Sequence, residues 1–149
     1  VLQGADDTWL APLIHVETVL GLSANPMRRL AALGGFEIEK TLRLSKIQSR
    51  ELAQYRDGIG SMAGLREVAY RLGADIAKGV FALRCAFAGS PPDLRKLDEI
   101  GMAAVVKFPI KSSDLKAGFR GPALGQKLKE IEAEWIASNF TKTKLQLLG

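Results

Sequence analysis

Cysteine and histidine are almost absent from this chain of 149 residues, which holds one of each, Cys85 and His15. An intrachain disulfide is therefore impossible, and a Cys/His zinc site, which needs several such ligands, is excluded. A Ser-His-Asp or Cys-His catalyst would have to run through His15 alone. No apolar run approaches the roughly 20 residues that a membrane span requires. No basic-then-apolar signal sequence opens the chain, and a single cysteine suits a reducing cytoplasm. Alternating apolar and polar residues are also missing over any length that would make a sheet. Gly58, Gly60 and Gly64 mimic a glycine-rich phosphate loop, but no strand precedes them and no Lys-Ser/Thr pair follows.

Apolar residues make up 47% of the chain and charged residues 25%, values of a folded protein rather than a disordered one. A domain of about 150 residues buries roughly 70% of its unfolded surface, so a sizeable core is attainable. The chain begins on Val1 rather than Met, and a piece of a longer protein is the expectation. Trp9, Leu13, Val16 and Leu20 recur with helical period, and "NPMRRLAAL" places Pro26 at a helix start with Gly34-Gly35 at its end. "LRLSKIQSRELAQYRDG" predicts a third helix, with Ser45 and Gln48 at capping-box spacing and Gly58 as its stop. Ser61 is expected to cap a helix whose face is Met62, Leu65, Ala69 and Leu72, interrupted at Gly73. Ile76, Val80, Leu83 and Phe87 mark another, and a proline-started helix is expected over residues 92–106. Only "VVKFPI" reads as a strand, cut short by Pro109. The prediction is an all-α multi-helix bundle: a helical body over residues 1–106 and a basic tail over residues 107–149 with a helix-hairpin-helix.

The charge is uneven. Residues 1–106 hold 13 Lys/Arg against 12 Asp/Glu, whereas residues 107–149 hold 8 against 4. In "SSDLKAGFRGPALGQKLKEIEAEW", residues 112–135, Ser112 or Ser113 is expected to cap a short helix, "DLKA". Gly118 is expected to end it in a left-handed conformation, and Gly121-Pro122 to restart the chain as a helix. Leu124, Leu128, Ile131 and Trp135 give that second helix an apolar face. The free amides of Gly121, Ala123 and Leu124, with the helix dipole, form a small anion site beside Lys116, Arg120 and Lys127. Amides and bases in that arrangement suit a sugar-phosphate strand and carry no base code. The plainer reading is a structural hairpin with solvated lysines.

Other candidates read as structural. Asp6-Asp7 suits a helix cap or a solvated end, and Asp98-Glu99 a solvent-facing pair. Cys85 reads as a small buried residue, His15 as a structural hydrogen-bonder, and Trp9 and Trp135 as core.

The tail also carries a family resemblance. Asp114-Leu115, then Gly118, then Gly121-Pro122-Ala123-Leu124-Gly125-Gln126-Lys127-Leu128 resembles the C-terminal signature of bacterial tRNA nucleotidyltransferases of the poly(A) polymerase family, the CCA-adding enzymes. "NPMRRLAAL" and "LRLSKIQSREL" resemble upstream segments of the same enzymes, above all the alphaproteobacterial ones. The matches run in order over residues 25–136. This chain has Ser112-Ser113 where family members often have a glycine, and Arg120 where a proline is common.

The resemblance implies a fragment: the helical body and tail that hold tRNA, without the head that adds nucleotides to its 3′ end. The head's Gly-Ser motif with a spaced Asp pair and the neck's Glu-Asp-x-x-Arg are not found here. No catalytic residue, metal ligand or cofactor is assigned to this chain, while Mg²⁺ and CTP or ATP are implied for the head. The function expected is tRNA binding in the cytoplasm through backbone contacts. Lys111, Lys116, Arg120, Gly121 and Lys127 are the tail candidates, and Arg43, Lys46 and Arg50 the body candidates. The rival readings are a helical interaction or dimerisation module and a helix-hairpin DNA-binding domain.

Overall fold

In the computed structural model residues 2–149 are described, and the chain divides into two compact units, Val1–Ala104 and Val105–Gly149. The fold is all-α. The first unit contains α1 (Leu10–Leu20), α2 (Pro26–Leu33), α3 (Ile38–Thr41), α4 (Lys46–Gly60), α5 (Leu65–Leu72), α6 (Ala74–Ala88) and α7 (Arg95–Ala103). The second contains α8 (Ser112–Leu115), α9 (Pro122–Ala137) and α10 (Lys144–Leu148). Among the described residues no helix is long and apolar enough to cross a membrane.

α6 is the axis of the first unit. It packs against α1, α2, α4, α5 and α7, and Ala77, Val80, Ala82 and Leu83 are fully buried on it. A helix apolar on most of its circumference has to be central. Leu13, Leu52 and Ile100 complete the core from α1, α4 and α7. Close approach of α4 and α6 depends on two glycines. A Cβ on Gly58 would collide with Val80, and one on Gly79 with the ring of Tyr55. Gly58 is therefore an interior contact of α4, and the helix runs through it to Gly60. The expected stop at Gly58 is corrected, because missing side-chain volume, not a left-handed turn, is what that position supplies.

Local signals explain several helix starts. Asn25 accepts a hydrogen bond from the Arg28 amide, with Pro26 at the first position of α2. Ser45 Oγ accepts from the Gln48 amide at 3.2 Å while Gln48 Oε1 accepts from the Ser45 amide at 2.9 Å, completing the capping box. Ser61, in contrast, caps no helix start; it is the C-cap of α4, its amide donating to the Asp57 carbonyl at 2.8 Å. α5 starts only at Leu65 after Gly64, and Met62 is fully exposed rather than on the apolar face. α7 starts later than expected, at Arg95, after Asp93 has accepted the Arg95 amide at 3.0 Å. "VVKFPI" forms no strand, since the one bridge among the described residues joins Ala5 and Gly34.

A buried polar cluster joins α1, α2 and α4. Glu17 is 2% exposed, and Arg28 donates to its Oε1 at 2.8 Å while Arg29 donates to its Oε2 at 2.8 Å. Arg28 also donates to the Ser23 carbonyl. Asn25 donates to Glu51 at 2.6 Å, and Tyr55 lines the same cleft as Glu51 and Arg28. Burial, reinforced by Glu51, pushes that phenol up to about 12. Among the described residues no buried side-chain polar atom lacks a partner. The arginines of "NPMRRLAAL" thus serve the fold.

In the second unit Trp135 is 3% exposed and lies between Phe108, at 5.4 Å between ring centroids, and Phe140, at 4.8 Å. Ile131, Ile110 and Leu147 close this small core. α10 has a capping box of Thr143 and Gln146 and was not expected from the sequence.

Removing Glu17 leaves the Arg28 guanidinium buried without its counter-charge. Glu17→Ala is expected to destabilise the first unit by about 3–5 kcal/mol, and Gly79→Ala by about 1–3 kcal/mol through overpacking. Urea unfolding followed by Trp9 fluorescence, with Trp135 replaced by Phe, measures both. A Glu17→Ala midpoint equal to the parent's would contradict the first.

Candidate nucleic-acid interface

Most bases of the first unit are used internally. Arg28 and Arg29 hold Glu17, and Arg56 donates to Glu39 at 3.1 Å. Arg84 donates to the carbonyls of Gly58 at 2.9 Å and Ala63 at 2.7 Å, so it closes the C-terminus of α4. Its burial lowers its proton affinity. Arg66 and Lys96 share Glu99. Against that background Arg43, Lys46 and Arg50 stand apart. All three are exposed, and among the described residues none of their side chains has a hydrogen-bond or ion-pair partner. Arg43 is in the left-handed region, φ 51°, just before the cap of α4. Lys46 opens α4 and Arg50 follows one turn later. These cations therefore stand at the helix's positive end, where an anion is favoured.

Lys78, which the sequence did not single out, is also unpaired. It lines a polar cleft of about 450 Å³ with Asn25, Arg28, Glu51, Tyr55 and Asp75. The buried groups there already satisfy one another. His15 is exposed and its side chain makes no hydrogen bond among the described residues, so the structural bond expected of it is not seen there. Cys85 is 8% exposed, and burial pushes its thiol up, which keeps it protonated and unreactive. Asp6 is tied to Thr8, whose hydrogen bonds lower its carboxyl. Asp98 faces solvent, while Glu99 is paired.

The basic turn differs in detail from its expected path. α8 begins at Ser112, and neither serine caps it. Its lone acid does so: Asp114 Oδ2 accepts the Lys111 amide at 2.8 Å. Gly118 is not left-handed. The amides of Gly118 and Phe119 both donate to the Leu115 carbonyl, at 3.1 and 3.0 Å, which tightens the exit of α8 without a positive φ. The special residue is Gly121, with φ 58° and ψ −139° at the start of α9. A residue before proline is barred from the helical region, and this conformation belongs to glycine. Leu124 donates to the Gly121 carbonyl at 3.1 Å, so its amide is not free as expected. The amides of Gly121 and Ala123 have no partner among the described residues.

Around them the side chains sort into two groups. Among the described residues Lys111, Lys116 and Arg120 are exposed with side chains unpaired, as are Lys107 and Lys129. Lys127 is drawn inward: its Nζ lies 3.7 Å from Glu130 and 6.0 Å from the Phe119 ring centroid. Such a lysine supports the turn through its stem and cation–π contact more than it reaches outward. Asp114 also accepts from Lys144 Nζ at 2.6 Å. That bond first, and the Lys111 amide second, lower its carboxyl below its ordinary 3.8. The clamp is thus intact above that pH and is lost as the pH falls through the lowered value.

The arrangement offers two free amides at a helix start and a group of uncommitted cations, which is a surface for phosphate oxygens. Comparison of the chain with protein-family models, curated proteins and solved structures found no match.

The turn's shape depends on Gly121, where an added Cβ meets no atom, so the cost of a side chain there is backbone strain alone. Gly121→Ala is expected to destabilise the second unit by about 1–3 kcal/mol, read by urea unfolding followed by Trp135 fluorescence with Trp9 replaced by Phe. An unchanged midpoint would show that the turn tolerates a side chain.

Proposed function

We propose that this chain is a tRNA-binding region of a tRNA nucleotidyltransferase, which positions tRNA while a separate head adds nucleotides to the 3′ end. One observation carries the reading: Lys111, Lys116 and Arg120 at the turn before α9, and Arg43, Lys46 and Arg50 at the start of α4, are all uncommitted. Those are the segments that resemble the CCA-adding enzymes. The tail works as a helix-hairpin-helix, with α8, the Gly118–Gly121 turn and α9 as its parts. Backbone amides and flexible lysines recognise a phosphate strand by charge and shape rather than sequence. In this reading the protein works in the cytoplasm, and Mg²⁺ with CTP or ATP serves the head.

A second reading draws on Ile47, 79% exposed, and Met62, 100% exposed. Large apolar groups in solvent suit a protein-interaction module. Mass that rises with concentration, with no RNA binding, would select it.

Fluorescence anisotropy with tRNA lacking its 3′ CCA, at several salt concentrations and beside a DNA duplex, tests the proposal. Saturable binding that prefers tRNA and weakens steeply with salt is expected. Lys116→Ala and Arg120→Ala should each weaken binding and reduce the salt slope by about one. Lys96→Ala, which removes a base paired with Glu99, should leave binding unchanged. Equal binding by all three variants and the parent would overturn the site, and preference for the duplex would favour a DNA-binding domain.

A further inference from the structure

Asp114 is the acid closest in sequence to the free cations of the turn, and two lysines compete for it. Lys144, thirty residues later, donates to its Oδ1 at 2.6 Å, while Oδ2 accepts the Lys111 amide at 2.8 Å. The Lys111 ammonium makes no hydrogen bond or ion pair among the described residues, although its charge already helps to lower the Asp114 carboxyl. Lys111 is the extended N-cap of α8, three positions before Asp114, with its ammonium near enough to act on the carboxylate. Charges interact within the roughly 10 Å screening length at 0.1 M salt. Without a stronger partner the carboxylate would draw the Lys111 ammonium onto itself.

Lys144 is placed to prevent this. It is the first residue of α10, whose start is fixed by the Thr143–Gln146 capping box and whose Leu147 is buried. Its ammonium is therefore delivered by an anchored element.

We infer that Lys144 is a positioning residue for the basic turn: by holding Asp114 it keeps the Lys111 ammonium free for a phosphate oxygen. The inference rests on the reading that the turn binds RNA. Lys144 acts through Asp114 and does not itself touch the RNA. Its loss would remove one phosphate contact and leave a carboxylate competing at the site.

The test uses the whole chain and the tRNA lacking its 3′ CCA. Lys144→Ala is expected to weaken binding roughly three- to tenfold at 0.1 M salt and to reduce the salt slope by about one. Adding Asp114→Asn, which keeps an acceptor for the Lys111 amide, should restore affinity to within about twofold of the parent. Lys111→Ala should show a similar loss that Asp114→Asn does not restore. Circular dichroism checks that each variant is folded. A Lys144→Ala variant that binds like the parent, or one that Asp114→Asn fails to rescue, overturns the inference.

A second arm needs no RNA. Lysine side-chain nitrogen resonances are followed by NMR while Asp114 is titrated. In the parent the Lys144 resonance should respond most strongly, and in Lys144→Ala the Lys111 response should grow to take its place. A silent Lys111 overturns the inference even where RNA binds. Absence of tRNA binding by the parent, with Lys111 responding, overturns the RNA reading and leaves the competition for Asp114 standing.

Discussion

A carboxylate shut away from water organises the larger unit. Glu17 lies inside, and two successive arginines of α2 reach it, one on each oxygen. Removing such charges from water costs several kcal/mol, and only good geometry and full hydrogen bonding offset that cost. The geometry fixes how α2 meets α1. Through the hydrogen bond from Asn25 to Glu51 it also ties α4, which carries the buried Tyr55, to the start of α2. Tyr55 then packs on Gly79, which lets α6 pass close beside α4. The exposed start of α4, with Arg43, Lys46 and Arg50, is held in place by this chain of contacts.

The same logic separates two kinds of base. A folded protein spends many of its arginines on its own carboxylates and carbonyls, and Arg28, Arg56 and Arg84 are of that kind. Lys111, Lys116 and Arg120 have no such occupation. Counting charge cannot make this distinction, because a buried arginine and a free one count alike. In the second unit the lysines split again: Lys127, Lys142 and Lys144 meet Glu130, Glu134 and Asp114, and the rest face solvent. The surface offered to a phosphate strand is what remains after the fold has taken its share.

What the sequence showed follows from how local each signal is. The Ser45–Gln48 box and the prolines at 26 and 122 act within one turn of chain, and all three are where the pattern puts them. Gly58 was misread because a glycine needed for close packing looks identical to one needed for a turn. Ser61 and Ser112 were misread because a capping residue type does not cap unless the chain enters the helix beside it. Gly118 and Gly121 compete for one role, and the restriction before Pro122 decides it for Gly121. The partners of Asp114 and Glu17 were illegible, since Lys144 and Arg28 reach them from other elements. Arg43, Lys46 and Arg50 follow from the resemblance alone, and their freedom from partners is visible only with the side chains placed.

The central claim is that the unpaired lysines, and not the paired ones, meet the RNA. Acetylation footprinting by mass spectrometry, with and without tRNA, tests it most directly. Lys46, Lys111 and Lys116 should become protected, while Lys40 and Lys96, which pair with Glu37 and Glu99, keep their reactivity. Equal protection of both groups, or none in either under conditions where tRNA is bound, would contradict the account.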